Sequence, residues 1–286
     1  MDTHNFWVVG GDPRQVTLAR ALLEDGHEVH TYALELGEAV PAPDPDLSGI
    51  EKAHCVILPL PALDGEKLNA PLSALSPAPE EILDALSPGQ LVCGGRMGPE
   101  LLAAGEARGL RMADYFTREE LAVANAVPTS EGTIQIAMEE LPVTLHGART
   151  LILGAGRLGK VLARQLTGLG AKVTVAARSW SDLAWIDAWG CDAARSDALE
   201  GTLGDFDLIL NTVPAPLLTR ERLAELKPGC LVIDLASRPG GVDFQSAVEL
   251  GVKVIWALSL PGKAAPVTAG KAIRDTVYHI LSEEEN

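Results

Sequence analysis

The chain has 286 residues, of which 47% are hydrophobic and 22% are charged, and its net charge is -16. This composition is typical of a globular protein, and the length predicts two domains of about 100 to 200 residues each. The acidic surplus argues against non-specific binding to nucleic acid or to an anionic membrane, because both require an excess of Lys and Arg. With no secretory signal pattern and no apolar run of about 18 residues, the chain is predicted to be cytoplasmic.

Four cysteines lie far apart in the sequence, namely Cys55, Cys93, Cys191 and Cys230. They form neither a CxxC pair nor a cluster with histidine at metal-ligand spacing. We therefore predict four free thiols that act as small buried apolar side chains, and no metal site.

The first part of the chain alternates short apolar runs with helical patterns. Strands are predicted at residues 6–9, 29–32, 54–58 and 91–93, and helices at residues 13–24, 80–86 and 99–107. Alternation of this kind predicts a parallel sheet with helices on its faces.

A helical bridge is predicted next. Residues 118–126 have a helical pattern, Pro128 is expected to end that helix, and Thr129 is expected to start another that reaches residue 141. Five further strands are predicted at residues 150–153, 172–176, 207–210, 231–234 and 253–256. A last helix at residues 266–281 is expected to pack back on the first domain.

These elements predict an α/β fold with two doubly wound parallel-sheet domains, the second of which is a Rossmann NADP-binding domain. The predicted boundaries are 1–127 for a substrate and partner domain, 128–145 for an interdomain helix, 146–264 for the Rossmann domain and 265–286 for the returning helix.

A GxGxxG motif follows the strand predicted at residues 150–153 and opens an amphipathic helix. Glycine is suited to the tight turn at the first position, to close approach of a pyrophosphate at the second, and to helix–strand packing at the third. The N–H groups at the helix start can then bind the phosphates. We predict cofactor contacts from Gly154, Gly156, Arg157, Leu158 and Gly159.

The end of the next predicted strand reads Ala177-Arg178-Ser179, at the place that faces the adenosine ribose in this fold. A carboxylate that would favour NAD is missing there. Arg178 can instead form charge-assisted hydrogen bonds with a 2′-phosphate, and Ser179 adds a hydroxyl donor. The pattern therefore favours NADP, and a solvated surface arginine is the alternative.

Two more strand ends are expected to face the same cleft. Asn211, Thr212, Val213 and Pro214 are predicted to line the cofactor site, although a simple strand-ending turn would have the same composition. After the following strand, Ser237 and Arg238 are candidates for holding a substrate carboxylate, and the glycines beside them also suit a plain turn.

The first domain has Gly10-Gly11-Asp12-Pro13-Arg14 at the corresponding position. The dinucleotide pattern fails after the second glycine, so no second cofactor site is predicted. Arg14 is a candidate ligand for a substrate carboxylate at a helix start, and an arginine on the protein surface is the alternative.

The bridge contributes the other substrate candidates. Thr129, Ser130 and Thr133 are predicted to bind a carboxylate at the start of a helix, where the helix dipole favours anions. Glu131 is the candidate base, with helix capping as its alternative role, and Ser130 and Arg238 complete the predicted catalytic set.

Taken together, the motifs resemble those of the A subunits of dipicolinate synthases over nearly the whole chain. The resemblance rests on residues 10–14, 128–133, 146–147, 154–159, 177–179, 211–214, 234–241 and 260–262. The sequence departs from the family pattern at one place: a lysine is expected directly after Ala-Pro, whereas here Lys263 precedes Ala264-Ala265-Pro266. The role of that lysine therefore stays open.

The resemblance implies NADP-dependent oxidation of a dihydrodipicolinate-type cyclic dicarboxylate, at a branch of lysine and diaminopimelate synthesis, to dipicolinate. It also implies a partner, the flavoprotein-like B subunit of dipicolinate synthase, together with an oligomeric assembly and a place in the mother cell of a sporulating bacterium. Two alternatives remain at this point: another two-lobed NADP dehydrogenase of the shikimate or amino-acid type, and a non-catalytic subunit that binds NADP for regulation.

Overall fold

The computed structural model describes residues 3–38 and 41–284, and the chain divides into two compact units. The first unit comprises Met1–Asn125 together with Ala265–Asn286, and the second comprises Ala126–Ala264. None of the helices in the described part of the chain is long and apolar enough to cross a membrane.

The first unit is built on a five-stranded parallel sheet. The strands of this unit are β1 (Asn5–Val9), β2 (Glu28–Tyr32), β3 (Cys55–Ile57), β4 (Leu63–Asp64), β5 (Lys67–Leu68), β6 (Leu91–Gly94) and β7 (Arg111–Asp114). The sheet order is β2-β1-β3-β6-β7, and β4 and β5 form a separate antiparallel pair. The helices between these strands are α1 (Pro13–Glu24), α2 (Pro79–Asp84) and α3 (Gly98–Glu106).

Helix α4 (Glu119–Glu140) is one continuous helix, and the boundary between the units falls within it. The prediction that the helix would end before Pro128 is therefore wrong. A proline inside a helix costs about 3 kcal/mol, because it lacks an N–H group and crowds the preceding turn. Here Leu121, before the proline, and Ala137, after it, are each buried in the core of their own unit. Packing on both sides outweighs the local cost.

The second unit contains a six-stranded sheet whose strand pairs are all parallel. Its strands are β8 (Arg149–Leu153), β9 (Lys172–Ala177), β10 (Asp192–Arg195), β11 (Leu208–Asn211), β12 (Leu231–Asp234) and β13 (Lys253–Trp256). Its helices are α5 (Arg157–Gly168), α6 (Trp180–Ala188), α7 (Arg220–Ala224), α8 (Phe244–Leu250) and α9 (Leu260–Ala264). The order β10-β9-β8-β11-β12-β13 is that of a Rossmann fold, so the strand order reverses between β8 and β11.

Helix α10 (Pro266–Glu284) packs against α1 within the first unit. The two helices approach closely at Gly270, where an added Cβ would lie 2.5 Å from the backbone oxygen of Arg14. Farther along, Ile273, Val277 and Ile280 join the apolar core beneath α1. The predicted fold class, two parallel α/β domains with a C-terminal helix returning to the first, is confirmed.

Candidate nucleotide-binding site

The glycine turn after β8 uses its three glycines in three different ways. Gly154 has a φ of +105°, and a Cβ there would lie 2.5 Å from Oγ1 of Thr212. At Gly159 a Cβ would lie 2.0 Å from the backbone oxygen of Gly154, so only glycine lets α5 begin this close to the strand. Around Gly156 an added Cβ would meet nothing within 4 Å, which leaves open space in front of the turn.

Helix α5 begins without a side-chain cap, because its N-cap residue is Gly156. The N–H groups in the first turn of a helix have no partner within the helix. The partial positive charge of the helix start adds to them, so this end of a 12-residue helix is suited to an anion such as a diphosphate.

A cavity of about 380 Å³ lies in front of this turn at the carboxyl ends of β8, β9 and β11. Most of the residues predicted to bind the cofactor line it, namely Gly154, Gly156, Ala177, Arg178, Ser179, Thr212, Val213 and Pro214. Four of the predicted residues do not, namely Arg157, Leu158, Gly159 and Asn211. Gly159 supports the site from behind by letting the helix pack, and Leu158 packs against the apolar core.

The tip of β9 supplies the charged side of the cavity. Arg178 is exposed, and no carboxylate of the described residues lies within ion-pair distance of it. Ser179 caps α6: its hydroxyl donates to Oδ2 of Asp182 at 2.6 Å and accepts from the backbone N–H of Asp182 at 3.0 Å. Ser179 was predicted to donate a hydrogen bond to the 2′-phosphate of the cofactor. Its hydroxyl hydrogen already bonds Asp182, so the two roles compete.

Two polar residues of the cavity were not predicted from the sequence, Asp182 and Ser196. The Ser179-x-x-Asp182 spacing matches a helix-capping pattern and contained the signal for Asp182. Ser196 comes directly after β10, a strand that carries no long apolar run.

Asn211 is fully buried and shapes the site rather than lining it. Its side-chain N–H donates to Oδ1 of Asp234 at 2.8 Å and to the backbone oxygen of Val213 at 3.0 Å. The other oxygen of the Asp234 carboxylate accepts from the backbone N–H of Gly241 at 2.8 Å. This buried network ties the turn after β11 to the loop after β12.

That loop presents the predicted substrate residues Ser237 and Arg238 on the surface of the second unit. The Arg238 guanidinium lies 6.0 Å from the ring centroid of Trp256, at the limit of a cation–π contact, and the ring N–H of Trp256 donates to the backbone oxygen of Ala236 at 2.9 Å. The two residues share one loop, at the carboxyl edge of the sheet.

The candidates on α4 do not stand at a helix start, because α4 begins at Glu119. The expected contribution of the helix dipole at Thr129, Ser130 and Thr133 is therefore wrong, and so is the capping role considered for Glu131. Thr133 donates its hydroxyl to the backbone oxygen of Thr129 at 2.7 Å. Ser130 is fully buried, with no hydrogen-bond partner for its hydroxyl among the described residues, and Glu131 is exposed.

Arg14, the candidate of the first unit, is 6% exposed and pairs with Asp12. Its Nε lies 2.9 Å from Oδ1 and its Nη2 lies 2.8 Å from Oδ2 of that carboxylate, and Nη2 also donates to the backbone oxygen of Leu60. The surface arginine considered as the alternative is therefore wrong. The cation is buried and already holds a carboxylate.

The four cysteines are free thiols and are buried. Burial raises the pKa of the Cys230 thiol to about 12, and a hydrogen bond with Cys93 together with burial raises the pKa of Cys55. Thiols held protonated in this way are poor nucleophiles.

The fold and the glycine turn define a class, the Rossmann-type dehydrogenases. Residues 121–284 match the family described as Alanine dehydrogenase/PNT, C-terminal domain, whose relatives include dehydrogenases, and the implied cofactor is a nicotinamide dinucleotide. Residues 5–116 match the family described as the N-terminal domain of the A subunit of dipicolinate synthase.

Comparison over the full length then identifies the family. The chain is 32% identical over 283 residues to the dipicolinate synthase A subunit of Bacillus subtilis, and the match covers 96% of this chain and 95% of that one. The crystal structure of the Bacillus subtilis protein has a TM-score of 0.89 at 31% identity, covering 99% of this chain and 97% of that one. The structure of its counterpart from Bacillus halodurans has a TM-score of 0.87 at 30% identity and covers 97% of each chain.

The chain belongs to the family of dipicolinate synthase A subunits. Membership in this family implies a partner subunit.

Proposed function

We propose that the chain binds NADP in this cavity and, as the A subunit of a dipicolinate synthase, oxidises a dihydrodipicolinate-type cyclic dicarboxylate to pyridine-2,6-dicarboxylate. The observation that carries the choice of cofactor is Arg178, an exposed guanidinium at the tip of β9 without a carboxylate partner among the described residues. When bound, the nicotinamide ring supplies the hydride acceptor. Aromatisation removes two hydrogens from the substrate ring, one as a hydride and one as a proton.

The dinucleotide would be held by the glycine turn and the start of α5. The open space around Gly156 leaves room for a diphosphate against the backbone, and the uncapped N–H groups of the helix would donate to its oxygens. Gly154 and Gly159 contribute indirectly, because each allows a backbone approach that a larger residue would prevent.

Arg178 would distinguish NADP from NAD. A guanidinium forms bidentate, charge-assisted hydrogen bonds with a phosphate, whereas a ribose hydroxyl offers it a much weaker interaction. Hydrogen bonds to charged groups contribute about 1.5 to 3 kcal/mol, which corresponds to roughly a tenfold to hundredfold preference.

A preference for NAD is the second candidate, and Asp182 is the observation that favours it. Its carboxylate lines the same cavity, and a carboxylate near the ribose normally accepts hydrogen bonds from the NAD hydroxyls. In this structure the Asp182 carboxylate already accepts a hydrogen bond from Ser179 at 2.6 Å, so it is partly engaged as a helix cap. For that reason NADP is the main proposal.

The substrate carboxylates would be bound by arginine and hydroxyl side chains. Ser237 and Arg238 stay in this role, because Arg238 is exposed and free of carboxylate partners among the described residues. Thr129, Ser130 and Thr133 stay as substrate candidates on α4, with the unpartnered Ser130 hydroxyl as the strongest of them. Glu131 stays the candidate to accept the ring proton.

Titration of the purified chain with NADPH and NADH tests the choice of cofactor. Arg178→Ser is expected to weaken NADPH binding at least tenfold and to change NADH binding by less than about twofold, since only NADPH carries the 2′-phosphate. Arg164→Ser is the matched control, because Arg164 is an exposed arginine on α5 away from the cavity. An equal loss for both dinucleotides, or no loss, would reject Arg178 as the determinant.

The reaction itself is tested in the complex with the flavoprotein-like partner. Formation of the aromatic ring is followed by its ultraviolet absorbance with a dihydrodipicolinate-type substrate and NADP. Arg238→Gln is expected to raise KM for the substrate about tenfold with unchanged NADPH affinity. If the complex turns over normally when Ser130, Glu131 and Arg238 are each replaced, the chain has a regulatory role and the chemistry occurs elsewhere.

A further inference from the structure

The arginines of the first unit are mostly neutralised by carboxylates. Arg108 pairs with Asp84 at 2.6 Å and Arg111 with Glu284 at 2.7 Å, and Arg14, Arg118 and Arg274 have acidic partners as well. Two exposed arginines differ: within residues 3–38 and 41–284 no carboxylate reaches the guanidinium of Arg20 or of Arg96.

Arg20 and Arg96 are not equivalent. Arg20 lies on α1 and donates to the backbone oxygen of Glu38 at 3.3 Å, whereas no hydrogen bond of the Arg96 guanidinium is found within the described ranges. In a chain with 39 acidic residues, an arginine left without a partner is available to an anionic ligand.

The backbone holds Arg96 in a conformation that its side chain disfavours. Its φ is +55°, in the left-handed region that glycine adopts freely. The carboxylate of Asp114 fixes this geometry, because Oδ1 accepts from the backbone N–H of Arg96 and Oδ2 accepts from that of Met97, both at 2.9 Å. A residue kept in such a conformation by specific hydrogen bonds, where glycine would fit without strain, is typical of a functional position.

Arg96 stands at the carboxyl edge of the first sheet, just beyond the end of β6. The preceding Gly95 donates its N–H to the backbone oxygen of Pro59 at 2.9 Å and accepts from the N–H of Ala62 at 2.7 Å, so Arg96 adjoins the loop that follows β3. The strand order β2-β1-β3-β6-β7 reverses between β1 and β3, and open α/β sheets bind ligands beside such a reversal.

The loop after β3 contacts Arg14 and also Gly95, the residue before Arg96. Arg14 donates to the backbone oxygen of Leu60 on that loop, while the Leu60 side chain packs where a Cβ on Gly95 would lie, 2.7 Å away. Arg14 is neutralised by Asp12, whereas the guanidinium of Arg96 has no ion-pair partner among the described residues. Tyr115 makes the support rigid: it is fully buried, its hydroxyl donates to the backbone oxygen of Leu58 at 2.8 Å, and its ring closes over Gly95.

We propose that Arg96 forms a carboxylate-binding site of the first unit and that its ligand is a cyclic dicarboxylate of the class named in the proposed reaction. The assignment to this substrate rests on the proposed function. A guanidinium binds a carboxylate through two parallel hydrogen bonds, and the backbone held by Asp114 fixes the point on the sheet edge from which the Arg96 side chain extends.

Arg96→Gly separates this role from a structural one. Glycine relieves the left-handed backbone, so the melting temperature is expected to stay the same or to rise. Binding of pyridine-2,6-dicarboxylate to the chain, measured by calorimetry, is expected to weaken at least about tenfold, and NADPH binding is expected to stay within about twofold. Arg96→Lys keeps the charge without the fork and should give an intermediate loss. Arg20→Gln, an exposed arginine on α1, is the control for the lost charge.

The outcomes distinguish this inference from the function on which it rests. If the reconstituted complex produces the aromatic product and Arg96→Gly leaves both dicarboxylate binding and KM unchanged, the carboxylate site is wrong while the reaction stands. If the complex makes no product but the chain binds pyridine-2,6-dicarboxylate in an Arg96-dependent manner, the reaction is wrong while the site stands. A wild-type chain that does not bind the dicarboxylate overturns the site.

Discussion

The two units use the same strand–turn–helix device, but the helix start is satisfied differently in each. In the second unit, α5 begins at Gly156, which has no side chain to cap the helix. In the first unit, α1 begins after Asp12, whose carboxylate accepts from the backbone N–H of Arg14 at 2.9 Å and also binds the Arg14 guanidinium. The carboxylate of Asp12 is therefore the anion at the start of α1, whereas the start of α5 can bind an anion that a ligand supplies.

The difference teaches that glycine content alone does not make a nucleotide site. Both turns contain glycines with positive φ, Gly10 and Gly11 in the first and Gly154 in the second. What separates them is whether the chain supplies its own carboxylate at the helix start. A carboxylate at that point occupies the N–H groups that a phosphate would need.

The largest effect is expected from Gly159→Ala. The new methyl group would meet the backbone oxygen of Gly154, so α5 must move away from the turn. Nucleotide affinity, measured by fluorescence titration, should fall more than about a hundredfold, and the free energy of unfolding should fall by about 1 to 3 kcal/mol. Gly168→Ala in the same helix is the control, because a Cβ there meets nothing within 4 Å. Unchanged binding by Gly159→Ala would mean that the open helix start is not the nucleotide site.

Asp12→Ala tests the other half of the comparison. It leaves the buried guanidinium of Arg14 unpaired and removes the helix cap, so denaturant unfolding should show a loss of about 3 kcal/mol. Asp197→Ala breaks an exposed pair with Arg195 and should cost much less, because solvent screens an ion pair at the surface. If Asp12 takes the place of an anion, phosphate should stabilise Asp12→Ala more than it stabilises the wild type. Equal effects of phosphate on both would contradict the self-capping explanation.

A smaller effect is expected from Asp182→Asn, which removes the carboxylate on the strand side of the second turn. The amide can still cap α6 with Ser179, while the repulsion of an added phosphate is lost. Because an exposed charge contact contributes about 0.2 to 1 kcal/mol, NADPH affinity should rise by about 1.4-fold to fivefold. A fall in NADH affinity with no gain for NADPH would favour NAD as the natural cofactor.

The smallest expected effect is a loss of stability of the first unit at acidic pH, caused by His27 just before β2. Burial and the nearby His4 lower the pKa of His27 below its ordinary value of about 6.5, and its Nδ1 accepts from the backbone N–H of His4. The unfolded chain therefore binds a proton at this histidine more readily than the folded chain does. The contribution of His27 to stability is fully present above about pH 6.5 and is lost as the pH falls through the lower pKa of the folded state. Hydrogen exchange should show the first unit losing protection as the pH falls below about 6.5.

In the same experiment the second unit should lose protection only at a lower pH than the first. Burial raises the pKa of Asp207, but its ion pair with Lys227 and the N–H of Arg149 outweigh burial and lower the pKa overall. Stability from such a carboxylate is lost only as the pH falls below about 4. His27→Gln should remove the early change in the first unit. Simultaneous loss of protection in both units would show that His27 is not its cause.

Much of the fold was predictable because its parallel strands are buried runs of apolar residues, as in β8 and β11. The short antiparallel pair of β4 and β5 was missed, and so were two strands of the parallel sheets, β7 (Arg111–Asp114) and β10 (Asp192–Arg195). Both lie at sheet edges, where a strand pairs on one side only and can carry charged residues without an apolar run. The continuous α4 was missed because the cost of Pro128 is local, whereas the packing that offsets it involves residues distant in the sequence.

The candidate site was predictable where spacing determines geometry, as in the turn from Gly154 to Gly159. It was not predictable where a side chain's partner decides its role. Arg14 has the same charge as Arg178, yet one is buried against Asp12 and the other is exposed. The role of Asn211 likewise follows from its contact with Asp234, a pairing of strand ends that only the folded sheet creates.

The return of α10 to α1 sets an order of events during synthesis. The residues of the second unit, Ala126–Ala264, are contiguous, so this unit has all its strands as soon as its last residue leaves the ribosome. The first unit must wait, because Ile273, Val277 and Ile280 complete the core beneath α1. Until they arrive, the places of these three side chains in the first core stay empty, and a partly formed core of this kind exposes apolar surface on which a nascent chain can aggregate.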